Sequence, residues 1–199
     1  MALRLVHEAP PAQQRRELDD VTLVAAGRGD QAACRAFLQC YQDRVWTLVL
    51  RLLGGDRAQA EDCAQEAFAR AFSALPSFEL DGPARPSTWL FTIATRVCLD
   101  ERRRRRRKPA ELAADAGVDR ADPRDPHEAA QARALAARVE RALVALPIEQ
   151  RAVFVLRVLC EHSEQETAAA LELDVGTVKS RLSRARAALR LALAEVLHG

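Results

Sequence analysis

Residues 30–55 hold a start signal, an apolar stripe and a stop signal for one long helix. Asp30 can accept hydrogen bonds from the free amides of a first helical turn. Ala33, Phe37, Tyr41, Val45, Leu48 and Leu52 then recur at three- and four-residue spacing, and Gly54 and Gly55 supply the left-handed residues that end a helix. A stripe of this period, sustained over about six turns, cannot be laid on a strand, where side chains alternate with period two. Other helices must therefore cover it. The same grammar follows twice more. Asp56 opens a helix with Ala60, Cys63, Ala67, Phe68 and Ala71 on its inner side, and Pro76 stops it. Ser87 is placed to cap a third, from Thr88 to about Arg107, striped by Leu90, Ile93, Ala94, Val97 and Cys98. No stretch alternates long enough to build a sheet. With 49% apolar but only 5% aromatic residues, Leu, Val and Ala must fill the cores. The expected fold class is all-α.

The chain of 199 residues suits one or two domains. Residues 1–16 read as a loose tail and 17–108 as a first helical block, with an irregular loop at 77–86 holding Gly82, Pro83 and Pro86. Residues 109–128 differ in kind. Three prolines accompany Glu111, Asp115, Asp119, Asp122, Asp125 and Glu128 against Arg120 and Arg124, a net of −4, which reads as a flexible acidic linker. A second helical block, 129–199, follows. Leu135, Val139, Leu143 and Leu146 mark one helix there; Pro147 opens the next, which carries Val153, Phe154, Leu156 and Leu159. No internal repeat is visible.

Prolines and charges interrupt any secretory apolar region near the N-terminus, and runs such as Val45–Leu50 are far too short to span a bilayer. Cys34, Cys40, Cys63, Cys98 and Cys160 are scattered and odd in number, without CxxC spacing. Cys160 and His162 alone do not make a zinc site. The expectation is a reduced cytoplasmic protein with no metal and no cofactor.

Net charge is only +2, so the chain is not a general nucleic-acid coat; the distribution of charge is what informs. Residues 163–190 contain two short helical patterns. Ser163 and Glu166 have capping-box spacing, and Asp174 can cap a second helix bearing Lys179, Arg181, Arg184, Arg186 and Arg190 with no acid among them. A bracing helix, a tight turn and a basic second helix are the parts of a DNA-reading helix-turn-helix; they also describe an amphipathic hairpin with a solvated basic face. Arg102–Lys108 is seven consecutive cations, which suit a helix C-terminus or a polyanion. Trp89 and Phe91 lie upstream on the same helix and Phe78 in the loop before it; they can stack on unpaired bases or be core. Glu61, Asp62 and Glu66 form an acidic face for solvent, a protein partner or a metal, without further ligands nearby in sequence. No catalytic constellation can be named.

Taken in order, AEDCAQEAFARAF (60–72), STWLFTIATRVCLDERRRRRR (87–107), ALPIEQRAVFVLR (145–157) and VGTVKSRLSRARAALR (175–190) resemble the bacterial sigma-70 family, in its small two-domain extracytoplasmic-function (ECF) class. The resemblance covers most of residues 20–192. It implies a non-enzymatic promoter-specificity subunit of RNA polymerase made of two small helical domains: 17–108, a sigma domain 2, and 129–199, a sigma domain 4 containing the helix-turn-helix.

The resemblance also implies roles. Asp62, Gln65 and Glu66 would dock on the clamp helices of the polymerase largest subunit. Phe78, Trp89, Arg96 and Arg103 would meet the −10 element as a single strand. Lys179, Ser180 and Arg184 would read −35 bases in duplex, with Gly176, Thr177, Arg181 and Arg186 near the backbone, while the C-terminal domain grips the polymerase flap. The acidic linker would thread toward the active-site and RNA-exit path, and an anti-sigma factor would hold the protein inactive. Arg96 stands where many relatives carry Asn, Glu172 where Gly is common in the turn, and Asp174 where Pro is frequent. Two other readings keep a place: a stand-alone helix-turn-helix regulator that binds duplex without polymerase, and a metal-dependent nucleic-acid enzyme using Glu61, Asp62 and Glu66.

Overall fold

The computed structural model describes residues 17–82, 84–106 and 126–197, and every regular element among them is helical. The N-terminal block comprises α1 (Asp20–Gly27), α2 (Gln31–Leu52), α3 (Arg57–Ala74) and α4 (Pro86–Arg106), with a 3-10 turn at Leu75–Ser77. The C-terminal block comprises α5 (Pro126–Ala145), α6 (Ile148–Phe154), α7 (Glu164–Leu171) and α8 (Val175–Leu197). A π-helical turn, Val155–Leu159, continues α6.

Short polar side chains start the helices by accepting from otherwise unpaired amides. Asp30 accepts from the Ala33 amide at 2.8 Å and Asp56 from Gln59 at 3.0 Å. Asp19 does the same for Thr22 at 2.9 Å, starting α1, a short helix that the apolar periodicity did not reveal. At the other end of α2 the chain turns through Gly54 (φ +74°) and Gly55 (φ +89°).

Ser87 departs from its expected role. It lies inside the first turn of α4, which begins at Pro86, and its hydroxyl donates to the Glu17 carboxylate. That carboxylate also accepts from the Ser87 amide at 3.2 Å and from the Tyr41 hydroxyl at 2.8 Å. An anion seventy residues away in sequence thus occupies the electropositive start of α4. A second departure is that α5 begins at Pro126, within the stretch expected to be linker. The expectations for the tail 1–16 and for 107–125 lie outside the described residues.

The stripes pack as their periods require. Phe37, Tyr41, Val45, Val49 and Leu52 of α2 are fully buried, covered by Ala60, Cys63, Ala67 and Ala71 of α3 and by Leu90, Ala94, Val97 and Cys98 of α4. The run of small residues on α3 lets its backbone approach α2 closely. Phe37 meets the rings of Phe72 and Phe68 at 5.4 and 6.3 Å. A second core joins Leu143 of α5 and Leu146 just past its end with Val153 and Phe154 of α6, Ala168 of α7, and Val178, Leu182, Ala185 and Leu189 of α8.

The two blocks also pack on each other, a contact without a sign in the periodicity of either. Ala152, Val155, Leu156 and Ala170 of the C-terminal block belong to the buried cluster of the N-terminal one. Arg151, 4% exposed, crosses the seam. Its Nη1 donates to the Leu52 carbonyl at 3.2 Å and its Nη2 to Leu146 at 3.0 Å, with the Val144 carbonyl as a further acceptor. A Cβ on Gly54 would lie 3.1 Å from that Nη1, so this glycine provides room as well as a positive φ. The Arg51 side chain bonds Glu140 of α5 at 2.8 Å. The His162 ring, 1% exposed, stacks on Phe91 of α4 at 6.3 Å between centroids, 18° from parallel.

Candidate nucleic-acid interface

Asp62, Gln65 and Glu66 are all exposed on α3, on the face opposite Ala60, Cys63, Ala67 and Ala71. Their spacing of three and four places them on one stripe. Glu66 pairs with Arg70 one turn on at 2.7 Å, and Arg70 reaches to 3.9 Å from Asp100 of α4. The stripe is thus a solvent-facing acidic surface held by a close-packed back.

On α4, Trp89, Arg96 and Arg103 are seven residues apart, which at about 3.6 residues per turn brings them onto one face. Phe78, just past the 3-10 turn, packs its ring on Trp89 at 5.0 Å, and both remain half-buried. Phe91 is core: it is 3% exposed between His162 and Arg44, whose guanidinium lies 4.9 Å from the ring centroid. The base-stacking alternative for Phe91 is therefore set aside.

The basic run is less bare than its sequence. Arg104 and Arg105 both donate to Glu101 at 2.8 Å, and Arg103 lies 3.6 Å from Asp100. Hydrogen bonds from Arg104 and Arg105 hold the Glu101 carboxyl at about 2, well below the usual carboxylate range. Acids one turn back neutralise part of the run because i to i+3 and i+4 residues are neighbours on a helix.

Arg96 is exposed but engaged across the seam. Its Nε donates to the Ala170 carbonyl at 3.1 Å and its Nη2 to Ala169 at 2.9 Å, the last turn of α7. Glu172 Oε1 lies 3.6 Å from the same Nη2. Arg96, expected from the family resemblance to meet a −10 strand, is thus hydrogen-bonded within the chain.

The helix-turn-helix forms from its expected caps. The Ser163 hydroxyl accepts from the Glu166 amide at 3.0 Å, and the Glu166 carboxylate accepts from the Ser163 amide at 2.6 Å. Glu172 takes the left-handed conformation (φ 56°) at the end of α7, where Gly is the unstrained choice. Asp174 accepts from both the amide (2.8 Å) and the hydroxyl (2.7 Å) of Thr177, which hold its carboxyl below the ordinary aspartate range. Burying Val178, Leu182, Ala185 and Leu189 turns Lys179, Ser180, Arg184 and Arg186 outward, with Gly176 exposed at the helix start and Arg181 half-buried. Lys179 reaches Glu164 at 3.5 Å, and the Ser180 hydroxyl donates to the Thr177 carbonyl at 3.0 Å.

Arg151 and His162 organise the seam; the sequence reading passed over Arg151 and weighed His162 only as a metal ligand beside Cys160. The one available sign was a cation at a position flanked by Ile148, Ala152 and Val155 on the apolar side of α6. Burial, with Arg102 nearby as a lesser cause, lowers the Arg151 guanidinium to about 10, so it stays charged at neutral pH.

Family comparisons map onto both blocks. Residues 37–108 match Sigma-70 region 2 and residues 136–189 match Sigma-70, region 4. The ECF RNA polymerase sigma factor SigW of Bacillus subtilis is 36% identical over 179 residues, spanning 85% of this chain and 93% of that protein. SigM of Mycobacterium tuberculosis is 35% identical over 176 residues (88% and 85%), and the RNA polymerase sigma-H factor of Pseudomonas aeruginosa is 32% identical over 190 (92% and 97%). The chain belongs to the ECF sigma factors. As a sigma factor, it directs RNA polymerase to initiate transcription at promoters. The sigma factor's fold is similar to that of RpoE from Bartonella quintana, solved with the anti-sigma factor NepR, at TM-score 0.64 and 23% identity over 80% of this chain and 96% of that one. It is similar also to CnrH in complex with the cytosolic domain of CnrY, at TM-score 0.58 and 25% identity, covering 88% and 96%. No helix among the described residues of the sigma factor is long and apolar enough to cross a membrane.

Proposed function

We propose that this sigma factor divides promoter recognition between its blocks. Residues 17–108 form domain 2, the helices from α5 onward form domain 4, and the acidic segment between them is a linker. Asp62, Gln65 and Glu66 dock on the clamp helices of the polymerase largest subunit. Phe78, Trp89, Arg96 and Arg103 meet the −10 strand. Lys179, Ser180 and Arg184 read the −35 duplex, while Gly176, Thr177, Arg181 and Arg186 follow its backbone. The observation that carries this reading is the order of the two family matches, region 2 and then region 4, each falling on one helical block. The protein acts by binding in the cytoplasm, without catalysis or cofactor. An anti-sigma factor restrains it, a reading supported by CnrH, which was solved with a cytosolic partner domain.

Run-off transcription from a promoter library, with core polymerase and this chain, tests the assignment. Specific transcripts should appear only when both are present, and Glu66→Lys should lower their yield by weakening assembly, because reversing a charge at an interface costs several kcal/mol. Tight, specific duplex binding without polymerase, together with no polymerase-dependent transcript, would establish the stand-alone regulator instead.

A further inference from the structure

We infer that the seam between the blocks holds a binding site for a small phosphorylated anion, an inorganic diphosphate or the diphosphate end of a nucleotide, gripped by Arg102 of the N-terminal block and Arg181 of the C-terminal one. The inference goes beyond the promoter reading, in which Arg102 has no part.

Three observations carry it. The first is a cleft of about 220 Å³ where the end of α4, the start of α6 and the turn between α7 and α8 meet. It is several times the roughly 30 Å³ that one water takes up, and smaller than the ~300 Å³ at which pockets for drug-sized ligands begin. A diphosphate group is of that intermediate size. The second is the balance of charge. Arg102, Arg103 and Arg181 line the cleft together with Glu149 and Glu172. Both acids are engaged: Glu172 lies 3.6 Å from Arg96, and Glu149 has a contact of its own. Arg103 lies 3.6 Å from Asp100. Arg102 and Arg181 are half-buried and pair with no acid among the described residues. The two guanidiniums left over thus come one from each block. The third is Arg151, whose hydrogen bonds go to carbonyls rather than to a carboxylate. Burial first, and then repulsion from Arg102, lower its guanidinium to about 10. An anion beside Arg102 would relieve that repulsion.

The donors select the chemical class. A guanidinium is a planar fork that gives two parallel hydrogen bonds to the oxygens of one phosphoryl group. Two such forks on one cleft match the two phosphoryl groups of a diphosphate. Leu99 and Leu173 add apolar wall, where a charge-assisted bond is stronger than in water. A diphosphate also carries more charge for its volume than a carboxylate, and excess positive charge is what this part of the seam leaves unbalanced.

Isothermal titration calorimetry on the full chain at constant ionic strength, with inorganic pyrophosphate and with ADP as probes, tests the site. Both should bind saturably. Arg102→Gln and Arg181→Gln should each weaken pyrophosphate about tenfold or more, as expected for the loss of a charge-assisted hydrogen bond. Arg190→Gln removes an exposed cation of α8 outside the cleft, and should change the affinity by less than about twofold, because salt screens a distant surface charge. Glu149→Gln keeps its size and loses a negative charge, so it should tighten binding by about threefold, a gain that a misfolded variant cannot produce. Equal affinities for the two probes would identify the diphosphate group alone as what is bound, and ADP binding about tenfold tighter would identify a nucleotide as its source. No saturable binding of either probe below about 10 mM would overturn the inference. A loss for Arg190→Gln equal to that for Arg102→Gln would overturn it too, as diffuse attraction to a basic surface.

Discussion

The sigma factor has two surfaces suited to nucleic acid, and the free chain presents them unequally. The outward side of α8 carries Lys179, Ser180, Arg184 and Arg186 in the open, backed by Val178, Leu182, Ala185 and Leu189. The corresponding face of α4 is partly covered, with Trp89 half-buried under Phe78 and Arg96 tied to the end of α7. The surface proposed to read duplex is thus preformed, whereas the one proposed to meet a strand is engaged within the chain. This contrast suits their targets. A duplex groove exists before polymerase acts, and an unpaired strand exists only once melting has begun.

The strongest way to break the contrast is to remove the buried cation that joins the blocks. Arg151→Ala leaves the carbonyls of Leu52, Val144 and Leu146 without their donor and opens a cavity in the seam. Urea denaturation should show a loss of about 2–4 kcal/mol, in the range for a buried charged hydrogen-bond network. A loss below about 0.5 kcal/mol, typical of surface substitutions, would mean that the seam contributes nothing to the closed chain.

The open surface is tested next. Arg184→Ala should cost roughly 1–3 kcal/mol and relax preference at a single base pair if Arg184 meets a guanine. Arg186→Ala should weaken all promoters alike and flatten the salt dependence by about one unit of slope. Transcription from single-base promoter variants separates the two behaviours. An equal loss across all variants for Arg184→Ala would make that residue a phosphate contact and leave α8 a less specific surface.

What was legible in the sequence follows the same division. Much that depends on neighbours within a turn or two was readable: the caps at Asp30, Asp56, Ser163 and Asp174, the glycine stop after α2, and the outward cations of α8. Contacts between residues far apart in sequence were not. Ser87 reads as a cap because its local context is that of one, yet Glu17 takes the position at the start of α4. Arg96 reads as a DNA contact and Arg151 as one more helix cation, since hydrogen bonds to distant carbonyls leave no periodic mark. Helix α1 escaped because eight residues with two buried side chains make too short a stripe. The cations of α8 and the acidic face of α3 stood out by residue pattern, their roles came from resemblance to a family, and their exposure or engagement only from the fold.

The smallest expected effect is on pH dependence, and it bears on the covered surface alone. His162 lies in the seam on Phe91, with Nδ1 3.2 Å from the Cys160 carbonyl and no hydrogen-bond partner for the buried Nε2. Donation from Nδ1 leaves the buried Nε2 as a lone pair without a hydrogen-bond partner. Burial pushes the ring below its ordinary value of 6.5. The Cys160 carbonyl, Glu166 and the nearby Thr88 carbonyl oppose that shift, while Arg157 adds to it. Arg44, on the other side of Phe91, adds a further cation to the surroundings. The sign follows from the lowered value. The separated or unfolded chain takes up a proton near 6.5 while the closed chain does not, so the contribution of His162 is intact above that pH and declines as pH falls through it. Between pH ~7.5 and ~5.5 the loss should stay below about 1.4 kcal/mol, the ceiling for one group that takes up its proton only on opening. His162→Phe keeps a ring against Phe91 and has nothing to titrate, so its stability should vary less over this interval by that amount. Parallel urea denaturation curves for the two proteins at both pH values would show that the ring does not titrate with opening, and that acid leaves the cover over α4 as it was.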